Sequence, residues 1–244
     1  MKKTVAWALA VATLMTFAAL PGYGQTVQSV LDKMIDAMGG RKALEAARDT
    51  TITGTAELVQ MGMSAPITMY QKEPNKLRID VEITAMGMTF IQAYDGQKAW
   101  WTNPQTMATE EMPDFMTKAF SHQSLGNDSF LNPQKLGITF ALKPKATIDG
   151  KDYIVLEQTL ADGHKITMFI DPATYLPYKS VTKSVDMTGG EVDSEAYVSD
   201  YRKVGGLMVA HSLRNLENGA ENMRMTITGV TFNANLDDAL FIMK

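Results

Sequence analysis

The 244-residue chain carries 27 acidic and 23 basic side chains, a formal net charge of −4 that argues against a nucleic-acid partner. It contains no cysteine, so disulfide bonds and a lipid-modified cysteine are both excluded. A chain of this length can bury one sizeable core.

The N-terminal segment has the parts of a secretory signal peptide. Lys2 and Lys3 precede an apolar run from 4 to 20, and the small residues Gly22 and Gly24 follow it. This order predicts a signal peptide, 1–24, that is cleaved after Gly24, so that the protein is exported. A retained membrane anchor is the alternative, but the apolar run is short for a membrane span.

The remaining segment, 25–244, has 220 residues and a net charge of −6, because both lysines leave with the signal peptide. It contains no long linker rich in glycine, serine or proline, no low-complexity run and no repeat of fixed period. We therefore expect one domain over 25–244.

The mature chain is predicted to begin with helices. Apolar residues recur at three- and four-residue steps from Val27 to Met38, which is typical of one face of a helix. Gly39-Gly40 ends this helix. A second short helix is predicted from Lys42 to Ala47.

From Thr50 onward the pattern changes to the alternation of strands. In the segment 77–83, the apolar side chains fall on one face and Arg78, Asp80 and Glu82 fall on the other. Such a strand belongs to a sheet with one dry and one wet face. Short turns such as Asp149-Gly150 separate about ten or eleven strands, which predicts one antiparallel sheet.

Two adjacent tryptophans, Trp100 and Trp101, follow the predicted hairpin turn at Asp95-Gly96. Their side chains must point to opposite faces, because side chains alternate along a strand. One interpretation is a core ring and a ring half-exposed under a loop, and the other is a wall of an apolar pocket. The alternation by itself does not decide which ring faces inward.

The segment 103–136 lacks strand alternation and is predicted to be a helical insert. Met112, Phe115, Met116, Ala119 and Phe120 recur at helical spacing and form an apolar stripe. A half-open barrel with such a helix as its lid would hold a cavity between the two.

Recognisable catalytic and metal-binding patterns are missing from the sequence. His122, His164 and His211 are far apart in the sequence, and there is no glycine-rich phosphate loop, nucleophile elbow or dinucleotide fingerprint. We predict neither an enzyme nor a bound cofactor or metal.

Methionine is frequent, with 18 residues in the whole chain and 16 after Met1 and Met15 leave with the signal peptide. Its flexible, polarisable side chain suits surfaces that accept varied apolar partners. The alternative is an ordinary core in which methionine takes the place of leucine.

Several segments, in this order and spacing, resemble the periplasmic lipoprotein carriers of the LolA/LolB type. They are AMGGRKALEAARDTTITGT, EPNKLRID with AYDGQKAWW, IDPATYLPYK, DYRKVGGLMVAHSL and TFNANLDDALF. The resemblance implies a mainly β fold: an open half-barrel of about eleven antiparallel strands whose concave face is covered by helices. It also implies a hydrophobic cavity for acyl chains and a periplasmic location. The insert 103–136 matches no motif of these carriers.

The leading functional hypothesis is a non-enzymatic carrier that moves acylated lipoprotein or lipid cargo towards the outer membrane, with inner- or outer-membrane transport proteins as further partners. An envelope-stress sensor of the same fold and a packed module without a cavity are the alternatives. The residues predicted to line the cavity are Ile67, Met69, Ile79, Val81, Ile83, Met88, Phe90, Trp100, Trp101, Met168, Ile170, Met225 and Ile227. The predicted lid residues are Met112, Phe115 and Met116.

Overall fold

The computed structural model describes residues 25–84, 87–186 and 188–243. The predicted signal peptide, 1–24, lies outside the described residues. The helices are α1 Val27–Ala37, α2 Arg41–Ala46, α3 Asp114–Gln123 and α4 Asp128–Leu131, with short 3₁₀ turns at Val59–Met61, Pro133–Leu136 and Asp238–Leu240. The strands are β1 Asp49–Leu58, β2 Met63–Lys72, β3 Lys76–Ile83, β4 Met88–Tyr94, β5 Ala99–Thr102, β6 Thr109–Glu111, β7 Thr139–Ile148, β8 Lys151–Thr159, β9 Lys165–Ile170, β10 Pro177–Val185, β11 Glu191–Val204, β12 Leu207–Glu217 and β13 Ala220–Phe232.

All thirteen of these strands form one antiparallel sheet in the order β6, β5, β4, β3, β2, β1, β13, β12, β11, β10, β9, β8, β7. The sheet is open, with β6 and β7 at its two edges. The predicted mainly β, open antiparallel architecture with covering helices is confirmed. The strand count exceeds the predicted ten or eleven. One strand that was not predicted is β6, because three residues are too few to show an alternation.

Helix α1 forms as its apolar spacing predicts. The Thr26 side chain caps its first turn in a reciprocal arrangement with Ser29. Val30 and Met34 on its buried face pack against Met168 and other apolar residues of β8 and β9. The chain then turns at Gly39, where φ is +128° and a Cβ would come within 2.6 Å of the Gly206 carbonyl oxygen. Only glycine fits this junction.

The sheet has two faces of different chemistry, as predicted. The inner face, which α1 and α3 cover, carries Leu77, Ile79 and Val81 of β3. The outer face carries the charged neighbours of these residues, and Arg78 pairs there with Asp80 at 2.7 Å. The alternation along β3 therefore sets the direction in which the sheet packs.

The sheet curls so that distant strands approach each other across α3. This helix contacts β4 and β5 near one edge and β10 near the other. In a flat sheet β5 and β10 would lie roughly 38 Å apart, at about 4.8 Å per strand interval. A helix of ten residues is only about 15 Å long. Contact with both strands requires a strongly curved sheet with α3 on its inner face.

The segment after β13 crosses the outer face. The buried Asp49 carboxylate accepts hydrogen bonds from the backbone N–H groups of Ala234, Asn235 and Leu236. Further along, Phe241 is fully buried and its carbonyl oxygen accepts a hydrogen bond of 2.8 Å from Trp100 Nε1. The C-terminal segment is therefore packed against the sheet.

Candidate functional site

A cavity of about 250 Å³ lies between the inner face of β8–β11 and the helical segment that contains α3 and α4. Most of the side chains around it are apolar. The cavity is lined by His122, Leu125, Ser129, Phe130, Gln158, Ile166, Met168, Pro177, Lys179, Ser180, Ala196 and Val198.

The sheet wall of the cavity follows from strand register. Ser180 of β10 lies opposite Met168 of β9 on one side and opposite Ala196 of β11 on the other. Directly opposed residues of antiparallel strands share a face, so these three side chains form one row on the inner face. Because serine and alanine are small, this row leaves space beneath the helices.

The roof of the cavity is α3, which is held at both ends. In its first turn, the Phe115 ring lies 3.6 Å from the position that a Cβ on Gly189 would take, at the tip of the β10–β11 hairpin. In its last turn, the His122 ring stacks on His164 at a centroid distance of 4.1 Å. His122 Nε2 also lies 2.9 Å from Asp162 Oδ2 in the β8–β9 turn.

The groups around Asp162 and His164 set the protonation of these two side chains. The His164 backbone N–H donates to Asp162, and with help from His122 and Lys118 this holds the pKa of that carboxyl well below its usual range. Burial, with the neighbouring His122 ring, lowers the pKa of His164. His164 Nε2 lies 2.7 Å from Thr182 Oγ1. At neutral pH, Asp162 is therefore charged and His164 is neutral.

One polar side chain in the sheet wall is buried without a partner for its donor. Gln158 is 3% exposed, and its Nε2 has no hydrogen-bond acceptor among the described residues. Lys179 also borders the cavity, but its ammonium lies 2.7 Å from Glu195 and over the ring of Tyr197. The charge of Lys179 is therefore already paired within the protein.

The structure distributes the predicted cavity residues over the whole inner face. Met168 lines the cavity, and Ile170 packs beside it against α1. A buried cluster on the central strands contains Ile67, Met225 and Ile227, and the partly buried Met69, Ile79 and Val81 pack against it. Ile83 is buried at the end of β3, and the register places Met88 opposite Ile83 and Phe90 opposite Val81.

The predicted lid residues all lie in or next to α3. Met112 is buried just before the helix, and Met116 packs with it against the side chains of β3–β5. Phe115 is 38% exposed and contacts the tip of the β10–β11 hairpin instead. Met112 and Met116 therefore attach α3 to one wall of the curved sheet, and Phe115 attaches it to the other.

The two adjacent tryptophans have different environments. Trp101 lies on the inner face in a buried cluster with Leu77, Met112 and Phe120. Trp100 lies on the outer face beneath the C-terminal segment, with its Nε1 bonded to Phe241. Trp100 must therefore be removed from the predicted inward-facing residues, because neighbours on a strand point to opposite faces.

Most of the residues that line the cavity were not among those predicted. Ile166 could have been found, because it shares its strand face with Met168 and Ile170. Gln158 and Ser180 carry no signal of this kind, since polar residues on a strand usually indicate the wet face.

Two kinds of feature are missing from the part of the chain that the structure describes. Among the described residues, no three histidine, aspartate or glutamate side chains are grouped as a metal site would require. In the same part of the chain, no helix is long and apolar enough to cross a membrane.

Comparison with known proteins identifies the fold. No family model and no curated protein sequence matches the chain. A solved structure described as a candidate outer-membrane lipoprotein-sorting protein domain from Vibrio parahaemolyticus superposes with a TM-score of 0.58 at 16% identity, over 86% of this chain and 95% of that one. A LolA superfamily protein from Nitrosomonas europaea gives 0.57 at 16% identity, over 90% and 98%. The chain has a LolA-like fold.

A third solved structure with the LolA-like fold is a DUF1329 family protein from Desulfovibrio piger. It superposes with a TM-score of 0.59 at 15% identity, over 88% of this chain and 97% of that one. The resemblance found in the sequence is confirmed at the level of the fold.

Proposed function

We propose that this protein is a non-enzymatic periplasmic carrier that shields the acyl chains of a lipoprotein or lipid in transit towards the outer membrane. The observation that carries the proposal is the largely apolar cavity beneath α3 and α4. The LolA-like fold and the predicted signal peptide support it. The cargo of the proposed carrier is an acylated molecule. Its delivery partners are membrane transport proteins.

The size of the cavity bears on how the carrier works. At about 30 Å³ for each water-sized group, the cavity holds roughly eight such groups. Burying that many methylenes is worth roughly 6 kcal/mol, at about 0.8 kcal/mol each. Such a site binds a short acyl segment reversibly. A longer chain would need α3 to move and uncover the predicted residues of the central strands, such as Val81 and Met225.

The proposal is tested by filling the cavity without adding charge. Ala196 lines the cavity, so Ala196→Phe should place a ring in the space that the acyl chain would occupy. Ala141 on β7 lies opposite Glu157 on the outer face and is exposed, so Ala141→Phe is the matched control. Residues 25–244 of each variant would be purified from a bacterial periplasm and analysed by native mass spectrometry with lipid extraction.

We expect lipid or acylated peptide to co-purify with the unaltered protein and with Ala141→Phe, and to be lost at least tenfold with Ala196→Phe. A ligand-free mass for the unaltered protein, together with no binding of a fluorescent fatty-acid probe, would contradict the carrier and favour a packed module. Recovery of a regulatory membrane protein, in place of cargo, would favour the sensor.

A further inference from the structure

The amide of Gln158 lies in the wall of an apolar cavity without an acceptor for its donor group. Its Cα lies opposite Phe140 on β7 and Ile166 on β9, so the side chain is flanked by apolar neighbours on the inner face. The residue is 3% exposed and Nε2 is unpartnered in the described part of the chain. A buried donor left unpartnered is unfavourable, because it has lost its hydrogen bonds to water without gaining a replacement. A ligand that supplies an acceptor would remove this cost.

The basic side chains that line the cavity, His122 and Lys179, are already engaged. His122 Nε2 faces Asp162 at 2.9 Å, and the ammonium of Lys179 lies 2.7 Å from Glu195. Neither basic side chain is therefore free to neutralise an anion next to Gln158. A carboxylate placed there would lose its hydration without gaining a counter-charge, which is strongly unfavourable.

We propose that the cavity selects acyl groups whose carbonyl is neutral, as in an ester or amide, over free fatty acids. Because Nε2 is fully buried in the ligand-free protein, the Gln158 amide turns towards the cavity when a ligand enters, and Nε2 donates a hydrogen bond to the carbonyl oxygen. The acyl chain lies along Ile166, Met168 and Ala196. This inference rests on the proposed function and narrows its cargo to esterified or amide-linked acyl chains. Gln158 is then the residue that determines specificity.

The test uses three probes of similar length on the mature protein: methyl octanoate, octanoate at pH 8, and decane, which has no acceptor. Binding would be followed by NMR of the ¹³C-labelled methyl group of Met168, which lines the cavity. We expect methyl octanoate to bind at least tenfold more tightly than octanoate. Equal affinities for the ester and the carboxylate would overturn the inference.

Substitution of the Gln158 amide provides the second part of the test. Gln158→Leu and Gln158→Met both remove the amide while keeping its approximate volume. In either variant we expect methyl octanoate to bind roughly threefold to tenfold more weakly, as for loss of one hydrogen bond. Decane should bind as tightly as before or more tightly.

The outcomes separate this inference from the carrier proposal. If decane and methyl octanoate bind the unaltered protein and neither substitution weakens the ester, the carrier stands and selection by Gln158 is wrong. If no probe shifts the Met168 methyl signal, the carrier proposal itself fails. If one variant does not fold, the other variant and the comparison of ester with carboxylate still decide the matter.

Discussion

Single residues in this protein take their roles from the face on which they lie. Trp100 and Trp101 are adjacent in sequence, yet one is held by the C-terminal segment and the other packs against α3. Strand geometry requires the separation, and the sequence predicts it. It does not predict which ring faces inward, because the segment that covers Trp100 lies about 140 residues further along the chain.

The C-terminal segment should contribute to global stability through Phe241. This side chain is fully buried, so Phe241→Ala is expected to lower the free energy of unfolding by about 3–5 kcal/mol through the cavity it creates. The adjacent Ile242 is 51% exposed, and Ile242→Ala should change stability by no more than about 0.5 kcal/mol. Urea unfolding followed by tryptophan fluorescence measures both. Equal, small effects would mean that the segment is not packed on the sheet in solution.

Among the secondary-structure elements, α3 shows what helical spacing can and cannot predict. Its apolar stripe correctly indicated a helix, but the helix begins only at Asp114, after Pro113 at the cap position. Met112, the first residue of the predicted stripe, precedes the helix and hydrogen-bonds through its backbone N–H to Ala99. The short strand β6 lies just before Met112 and pairs with β5. Three residues are too few for the sequence to predict this strand or its pairing.

The attachment of α3 to the β8–β9 turn should depend on pH. The His164 ring faces His122 and Lys118 of α3, Asp162 of the turn and Thr182 of β10. Its pKa is lowered in the folded state from the ordinary 6.5, so folding disfavours its protonation. The corresponding stability is present above pH 6.5 and is lost as pH falls through the lowered pKa. The Asp162 pKa is also lowered, so its contribution is lost only further down, below the ordinary 3.8.

We therefore expect the free energy of unfolding to fall between pH 7.5 and pH 5 by less than about 1 kcal/mol from this cluster, since solvent screens it. His164→Gln should reduce that dependence, measured by urea unfolding at both pH values. His211→Gln is the comparison, because His211 hydrogen-bonds to Val209 on another part of the sheet. If the free energy of unfolding depends on pH as steeply in His164→Gln as in His211→Gln, the His164 cluster is not the source of the pH dependence.

At the scale of the whole molecule, α3 joins two walls of one curled sheet. Its Met116 and Phe120 pack on β3–β5, and its Phe115 meets the β10–β11 hairpin at Gly189. Strands β3–β5 and β10–β11 lie far apart along the sheet, and α3 contacts both groups. A change in the curvature of the sheet would therefore change the space under α3. The volume of the cavity is therefore coupled to the position of α3.

A cross-link across this contact should limit the length of the ligand. The chain has no cysteine, so Phe115→Cys and Thr188→Cys can be bridged selectively by a short bismaleimide. We expect the bridged protein to bind methyl octanoate normally but methyl hexadecanoate at least tenfold more weakly, because the longer chain exceeds the present cavity. The double variant without the bridge is the control. Equal binding of the long ester before and after bridging would show that α3 need not move.

The sequence by itself determined most of the helices and strands, though not β6, and which side chains of each predicted strand are apolar. It could do so because periods of 3.6 and 2 residues follow from local backbone geometry. The tertiary structure alone decided that β1 pairs with β13, that the sheet curls and stays open, and that the cavity lies over β8–β11. These features depend on contacts between residues far apart in the chain. The cavity arises where the small side chains of Ser180 and Ala196 face α3 and α4. No local sequence pattern predicts that these strands and helices come together.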